Sequence, residues 1–257
     1  MTGLRVILGK ELREAWRTRR LPAVLVLFAV IGILSPLTAR YLPEILKAAL
    51  GEGLPLPIPT PMAADAVLQL QKNLGQLGAF AAIILAMGTV ANEKERGTAA
   101  FLLTKPLTRR TFLGAKLGAL GVVLGLATLV AVAVGWVYTA ILFEPGPPGG
   151  WIALAVLTWL GLSCWAAITF LASTVLGSAA AAAGIGVLAL VVVSLIAAIP
   201  AVGRFLPPGL DAPALALATG QTSGLAPDEL ATAVLGSALL IAGAGLAAWL
   251  SFRRQEL

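Results

Sequence analysis

Six long apolar stretches recur along this chain, and they constrain its fold more than any other feature of the sequence. Each is close to the roughly 20 residues that an α-helix needs to cross a hydrocarbon core about 30 Å thick. Only 12% of the residues are charged, about half the share of a soluble domain. We therefore predict an all-α integral membrane protein with one transmembrane domain over residues 1–257. The six predicted spans are about 21–39, 74–91, 112–140, 151–173, 178–200 and 231–252.

Residues 1–40 also allow a second interpretation, a cleavable signal peptide. The charged region before the apolar stretch is long for a signal peptide, and the apolar stretch exceeds the usual length of roughly 7–15 residues. Pro22 stands where a helix tolerates proline, in its first turn. We interpret residues 21–39 as a true membrane helix.

The positions of lysine and arginine predict which side of the membrane each connection faces. Fourteen of the 18 basic residues lie before the first span, in the region 92–116 around the start of the third span, or after the sixth span. Cytoplasmic connections carry the excess of basic residues, so both termini are predicted to be cytoplasmic. An even number of spans agrees with this. The other side holds seven of the twelve acidic residues and only four basic ones: Arg40, Lys47, Lys72 and Arg204.

The residues that the chain lacks exclude several kinds of chemistry. It has no histidine and one cysteine, Cys164, which excludes histidine-based zinc and haem sites, a Ser-His dyad and a disulfide framework. The stretch LGKE at residues 8–11 lacks the glycine spacing and the Ser or Thr of a phosphate-binding loop. The net charge of +6 lies at the ends of apolar stretches, so no nucleic-acid partner is predicted. We expect no catalytic site, metal or cofactor in this chain.

Residues 1–20 are predicted to form an amphipathic helix on the inner membrane surface. Leu4, Leu8, Leu12, Ala15 and Trp16 recur at helical spacing, while the basic residues fall elsewhere around the helix. Trp16 would lie at the level of the lipid headgroups. The alternative is a simple basic anchor that orients the first span.

The longest charged stretch inside the chain is NEKERGTAAFLLTKPLTRR, residues 92–110. A connection between two helices needs only a few residues, and this one has a pattern of its own. We predict a charged helix end, a turn at Gly97, a short apolar helix over residues 99–103 and a break at Pro106. Thr108 would then cap the helix that becomes the third span.

Two acidic residues in this stretch, Glu93 and Glu95, indicate a surface that meets another protein. Basic residues such as Arg109 and Arg110 can serve as interfacial anchors. Acidic residues contribute little to topology and are costly near hydrocarbon, so anchoring does not explain them.

The stretch resembles the signature of ABC-2 type transporter permeases: roughly E-x-E-x-G-T, a leucine pair, a proline, Ser or Thr followed by Arg, and then a Gly or Lys. The N-terminal GKELRE, residues 9–14, resembles the opening of the same family's amphipathic connecting helix. The layout of six spans with both ends inside is also similar. The matching residues of the signature are Glu93, Glu95, Gly97, Thr98, Leu102, Leu103, Pro106, Arg109, Gly114 and Lys116.

The resemblance implies a multi-pass subunit of an ATP-driven exporter in the cytoplasmic membrane of a prokaryote. ATP and magnesium would bind a separate ATP-binding cassette subunit, with no cofactor in this chain. A second copy of the permease, or a related permease, would complete the complex in the lipid bilayer. The connection between spans two and three would be a coupling helix in a cleft of the ATP-binding subunit, with a weaker contact at residues 174–178.

The resemblance also assigns residues to these roles. The residues implied in docking are Asn92, Glu93, Lys94, Glu95, Arg96, Gly97, Thr98, Leu102, Leu103, Pro106 and Arg109. The residues implied in the membrane-surface helix are Lys10, Glu11, Leu12 and Trp16.

Two other functions stay open at this point. An ion-coupled secondary transporter usually shows internal repeats or ionisable residues at the membrane midplane, and this sequence shows neither clearly. A subunit that transmits movement without carrying a solute would contact an extracytoplasmic protein. The stretch EGLPLPIPTP, with prolines at alternate positions, would be that contact or a stiff connector.

Small and polar residues inside the spans suggest packing surfaces. Gly114, Gly118, Gly121 and Gly125 share one face of the third span and predict close approach of a neighbouring helix. The polar side chains are compatible with amphipathic cargo and equally with helix packing. They are Thr128, Tyr138, Thr139, Thr158, Ser163, Thr169 and Ser194.

Overall fold

A computed structural model describes residues 2–50, 60–95, 97, 108–143 and 148–255, and every regular element in these ranges is helical. The proline-rich stretch at 51–59 and most of the predicted coupling helix lie outside the described residues. The α-helices are α1 (Thr2–Arg17), α2 (Arg20–Leu50), α3 (Ala63–Asn73), α4 (Ala79–Met87), α5 (Ala91–Glu95), α6 (Arg109–Leu142), α7 (Pro148–Val175), α8 (Ala179–Ala197), α9 (Pro200–Gly203), α10 (Asp211–Thr219) and α11 (Pro227–Arg253).

Six helical segments are long and apolar enough to cross a membrane, as the sequence predicts. The second span is built from α3, a π-helical turn at Leu74–Gly78, α4 and α5. The first two spans extend beyond their predicted ends, since α2 continues to Leu50 and α3 begins at Ala63. The amide of Met62 donates to the Asp65 carboxylate at the start of α3, a cap that the apolar pattern alone does not reveal.

Helix α7 is the centre of the bundle. It packs against α4, α6, α8, α10 and α11, and its buried side chains include Leu154, Leu162 and Phe170. Helices α8 and α11 are at the periphery, where large apolar side chains such as Leu195 and Leu239 are exposed. Exposed apolar faces on membrane helices are suited to lipid or to another membrane protein.

The segment after α8 folds back onto the bundle. A 3₁₀ turn at Pro207–Leu210 leads into α10, and both pack against α7. Leu210, Ala214 and Ala218 are buried there. Gly150 at the start of α7 lies so close to the backbone of Leu217 that a Cβ atom would collide with it.

Helices approach closely at Gly125 of the predicted row, where a Cβ atom would lie 3.3 Å from the Trp159 indole nitrogen, and also at glycines outside the row. A Cβ on Gly32 of α2 would lie 2.5 Å from the carbonyl oxygen of Ala131 in α6. In the predicted glycine row of α6, a Cβ on Gly114 or Gly121 would have no neighbour within 4 Å. A methyl group at either position would therefore meet no tight contact, although the Trp159 indole of α7 donates to the Gly121 carbonyl oxygen at 2.8 Å.

We expect Gly32→Ala to push α2 away from α6 and to lower stability by about 1–3 kcal/mol, as overpacking of a close contact does. The matched control is Gly121→Ala, which adds the same methyl group where there is open space. The measurement is the thermal unfolding of each variant in the same detergent. Equal melting temperatures for the two variants would contradict the close α2–α6 contact.

Candidate functional site

Several helix ends meet at one end of the bundle, which we call the basic end. It contains α1, α5, the beginning of α6, the junction of α7 with α8, and the end of α11. The described N-terminal and C-terminal residues therefore lie at the same end, as the charge distribution predicts. Half of the 18 lysine and arginine residues of the chain lie in these segments, and Arg254 directly follows α11.

The second span is interrupted just before the basic end. Helix α4 ends at Met87, residues 88–90 form a turn, and α5 resumes at Ala91. The hydroxyl oxygen of Ser173 in α7 accepts hydrogen bonds from the amides of Val90 and Ala91, at 3.2 and 3.0 Å. Amides at the start of a helix have no partner within it, so this side chain fixes α5 to α7.

A buried ammonium group joins three helices at the basic end. The side chain of Lys116 in α6 is 2% exposed, and its Nζ lies 3.0 Å from the Glu11 carboxylate of α1 and 2.9 Å from the Glu93 carboxylate of α5. A buried charge is tolerated only when it is paired with good geometry. These two ion pairs therefore hold α1, α5 and α6 together.

Lys10 adds a more exposed ammonium group to the same cluster. Its Nζ lies 3.2 Å from the carboxylates of both Glu11 and Glu14, and 3.6 Å from that of Glu93. Burial alone would lower the pKa of Lys10, but the three carboxylates together raise it above its ordinary value. Lys10 is therefore charged at any physiological pH. We call Lys10, Glu11, Glu14, Glu93 and Lys116 the ion cluster.

Arg109 binds the end of the last helix. Its guanidinium group donates to the carbonyl oxygens of Phe252, Arg253 and Gln255, at 2.8, 2.9 and 3.2 Å. Carbonyl groups at a helix C-terminus lack partners and carry partial negative charge, so a cation is favourable there. The Phe112 ring stacks on that of Phe252 with 5.8 Å between their centroids, which adds apolar contact to the same junction of α6 and α11.

Lys94 makes a similar contact with the end of α7. Its Nζ donates to the carbonyl oxygen of Thr174 at 2.6 Å, and the side chain of Gln255 donates to the same oxygen at 3.2 Å. Three residues that the resemblance assigns to docking, Glu93, Lys94 and Arg109, thus bind other parts of this chain. These contacts stabilise the surface on which a partner would dock.

Other residues with an assigned docking role face outward or lie outside the described part. Glu95 and Gly97 are exposed, and Gly97 has a left-handed backbone with φ of 66°, which suits the predicted turn. Asn92 is half-buried, and its side chain packs against Gly88. The Thr108 cap is confirmed, because its hydroxyl accepts from the Thr111 amide at 3.2 Å. Outside the described residues are Arg96, Thr98, Leu102, Leu103 and Pro106.

Helix α1 packs along α6 rather than standing apart from the bundle. Ile7 is buried, while Leu12 is half-buried and Trp16 is 61% exposed. Trp16 is thus free to meet lipid, and Glu11 turns toward Lys116. The sequence pattern did not predict the ion pair that Glu11 forms with Lys116. Lys116 could have revealed this ion pair, because a charge inside the predicted third span requires a partner of opposite charge.

The ion cluster borders a cavity of about 360 Å³ between α1, α2, α4, α5 and α6. Arg20, Thr89 and Asn92 also line it, and its deeper wall is apolar, with Leu85 and Leu120. In the part of the chain that the structure describes, no three His, Cys, Asp or Glu side chains are grouped to hold a metal ion. The arrangement is suited to holding helices together and presenting a surface.

We expect Lys116→Met to destabilise the protein by about 3–5 kcal/mol, because it leaves two largely buried carboxylates, whose side chains are 14% and 16% exposed, without their main cation. The matched control is Lys10→Met, whose side chain is 43% exposed and whose loss should cost about 0–1 kcal/mol. Thermal unfolding in detergent measures both. A loss for Lys10→Met as large as for Lys116→Met would contradict the central position of Lys116.

Comparison with known proteins agrees with this architecture. The chain is 28% identical over 196 residues to the uncharacterized transmembrane protein YxlG of Bacillus subtilis (strain 168), which covers 74% of this chain and 76% of the relative. A family profile described as ABC-2 family transporter protein matches residues 5–214, a range that contains most of α1, all of α5 and the ion cluster. This chain therefore belongs to the ABC-2 family of transporter proteins.

Proposed function

We propose that this chain is the membrane-spanning permease of an ATP-driven exporter, and that α5 with the residues after it docks on a separate ATP-binding subunit. The observation that carries the proposal is the attachment of α5 to three other helices of the basic end. Glu93 binds Lys116 of α6 and lies near Lys10 of α1, and Lys94 binds the end of α7. Membership of a transporter family supports the transport role.

These contacts give a docked partner a direct mechanical connection to the spans. A rigid-body shift of α5 would move α6 through the Glu93–Lys116 ion pair and α7 through Ser173 and Lys94. Conformational changes of this type proceed by movement of packed helices as units. ATP-dependent rearrangement of the partner would then favour one arrangement of the spans over another by differential binding.

The remaining features of the proposed complex follow from the sequence and from the surface of the bundle. The excess of basic residues supports a cytoplasmic location for the basic end, with both termini. ATP and magnesium bind the partner, because this sequence has no phosphate-binding loop. The exposed apolar faces of α8 and α11 are available to lipid and to a second copy of the permease.

Docking is tested at Glu95, the acidic residue of the motif that faces outward in the part of the chain that the structure describes. Glu95 is exposed, so Glu95→Lys changes the docking surface without breaking the ion cluster, whereas a change at Glu93 would disturb both. We expect the tagged wild-type protein, purified gently from the cells that make it, to carry an ATP-binding subunit in fixed proportion. Glu95→Lys should lose that subunit while keeping the melting temperature of the wild type.

Glu44→Lys is the matched control, because Glu44 is also exposed but lies toward the end of α2 that is away from the basic end. It should retain the partner. If Glu95→Lys retains the partner as well as the control does, the docking surface is elsewhere. If the wild-type protein purifies without any ATP-binding subunit, the proposed function is wrong and ion-coupled transport becomes the function to test.

A further inference from the structure

A second cavity, of about 450 Å³, lies in the half of the bundle away from the basic end. It is formed by α3 and the π-helical turn on one side, by α7 and α8 on another, and by residues 207–215. Its walls are largely apolar. Side chains that form them include Leu157, Leu162, Trp165, Leu190 and Leu215.

One buried polar side chain at this cavity has an unused acceptor. Gln71 is 6% exposed, and its amide nitrogen donates to the backbone oxygen and the carboxylate of Asp211, at 2.6 and 3.2 Å. Its amide oxygen is buried and has no hydrogen-bond partner. An unsatisfied buried acceptor of this kind is uncommon and unfavourable, so the site is complete only when a donor is present.

The Asp211 carboxylate accepts from the amide nitrogen of the same Gln71 side chain, and both residues line the cavity. Asp211 is exposed toward the cavity, and among the ion pairs of the described residues none uses it. Thr158 and Ser194 add hydroxyl groups to the lining. A carboxylate next to an unpaired carbonyl-type oxygen attracts a cationic donor and repels an anion. Lys72, which is exposed and also lines the cavity, allows for an anionic group further along the same molecule.

The π-helical turn at Leu74–Gly78 lies along the same cavity. Single turns of this kind inside α-helices occur often at functional sites. This turn exposes Gly75 and Gln76 within a membrane span, and a Cβ on Gly75 would have no neighbour within 4 Å. Polar side chains exposed inside a span are costly unless they have a use. The turn therefore adds a second, independent indication that a ligand binds here.

We propose that this cavity binds an amphipathic molecule with a protonated amine, which donates to the Gln71 amide oxygen and to the Asp211 carboxylate while its apolar chain lies against α7 and α8. This proposal identifies the chemical class of the transported molecule. It rests on the proposed function only for the statement that the bound molecule is transported. Binding itself requires this chain alone.

The experiment is photolabelling of the purified protein in lipid nanodiscs with a long-chain alkylamine that carries a diazirine on its chain, followed by mass spectrometry of the labelled peptides. We expect labels on the segments that line the cavity, namely residues 68–76, 157–165, 190–194 and 207–215. Dodecylamine should compete with the label, and dodecyl sulfate at the same concentration should not.

Asp211→Asn and Gln71→Leu should each weaken labelling at these segments by about tenfold or more, as expected for loss of a hydrogen bond to a charged group. Asp228→Asn is the matched control, since it removes a carboxylate at the start of α11 that does not line the cavity, and it should label like the wild type. Unfolding temperatures identify any variant that fails to fold. If Gln71→Leu does not fold, Asp211→Asn alone provides the test, because Asp211 is the more exposed of the two residues.

Labelling confined to other segments, or unchanged labelling of folded Asp211→Asn, would overturn the site. Equal competition by dodecyl sulfate would overturn the preference for an amine. The result is separable from the proposed function, because labelling is measured on this chain alone, whereas the proposed function is tested by co-purification of an ATP-binding subunit.

Discussion

The pairing of the Lys116 ammonium with two carboxylates is the interaction on which the basic end of the molecule depends. Its side chain is almost completely buried, where a lone ammonium would be prohibitively costly. Glu11 comes from the helix before the first span and Glu93 from the end of the second. Glu11 and Glu93 are 105 and 23 residues away from Lys116 in sequence, and the need to neutralise its charge brings them together. The first three spans are held together as a result.

The ends of the helices impose a second requirement, since their terminal amides and carbonyls need partners. At the basic end, side chains supply them: Ser173 accepts from the start of α5, Lys94 donates to the end of α7, and Arg109 donates to the end of α11. Two of these three residues also belong to the stretch that resembles a docking motif. The motif thus combines internal attachment with an outward face, and Glu95 is the described acidic residue on that face.

Hydrophobic length and local signals were enough to predict the six spans and the Thr108 cap. They failed where a feature depends on a distant partner. The spacing of a glycine row gives the face of a helix that it occupies, but Gly32 makes its close contact only because α6 crosses there. Lys116, placed inside a predicted span, signalled a buried partner. Ser173 and Gln71 gave no local signal at all, because their partners lie 83 and 140 residues away.

The second span connects the two regions discussed above. It is interrupted by the π-helical turn, beside the cavity of Gln71 and Asp211, and again at residues 88–90, beside the ion cluster. Between these breaks α4 is a continuous helix of nine residues that packs against α7 and α8. A helix moves as a unit, while breaks in its hydrogen bonding absorb changes of direction. Movement applied to α5 by a docked partner would therefore reach the cavity through α4, and the effect of a ligand at the cavity would return along the same helix.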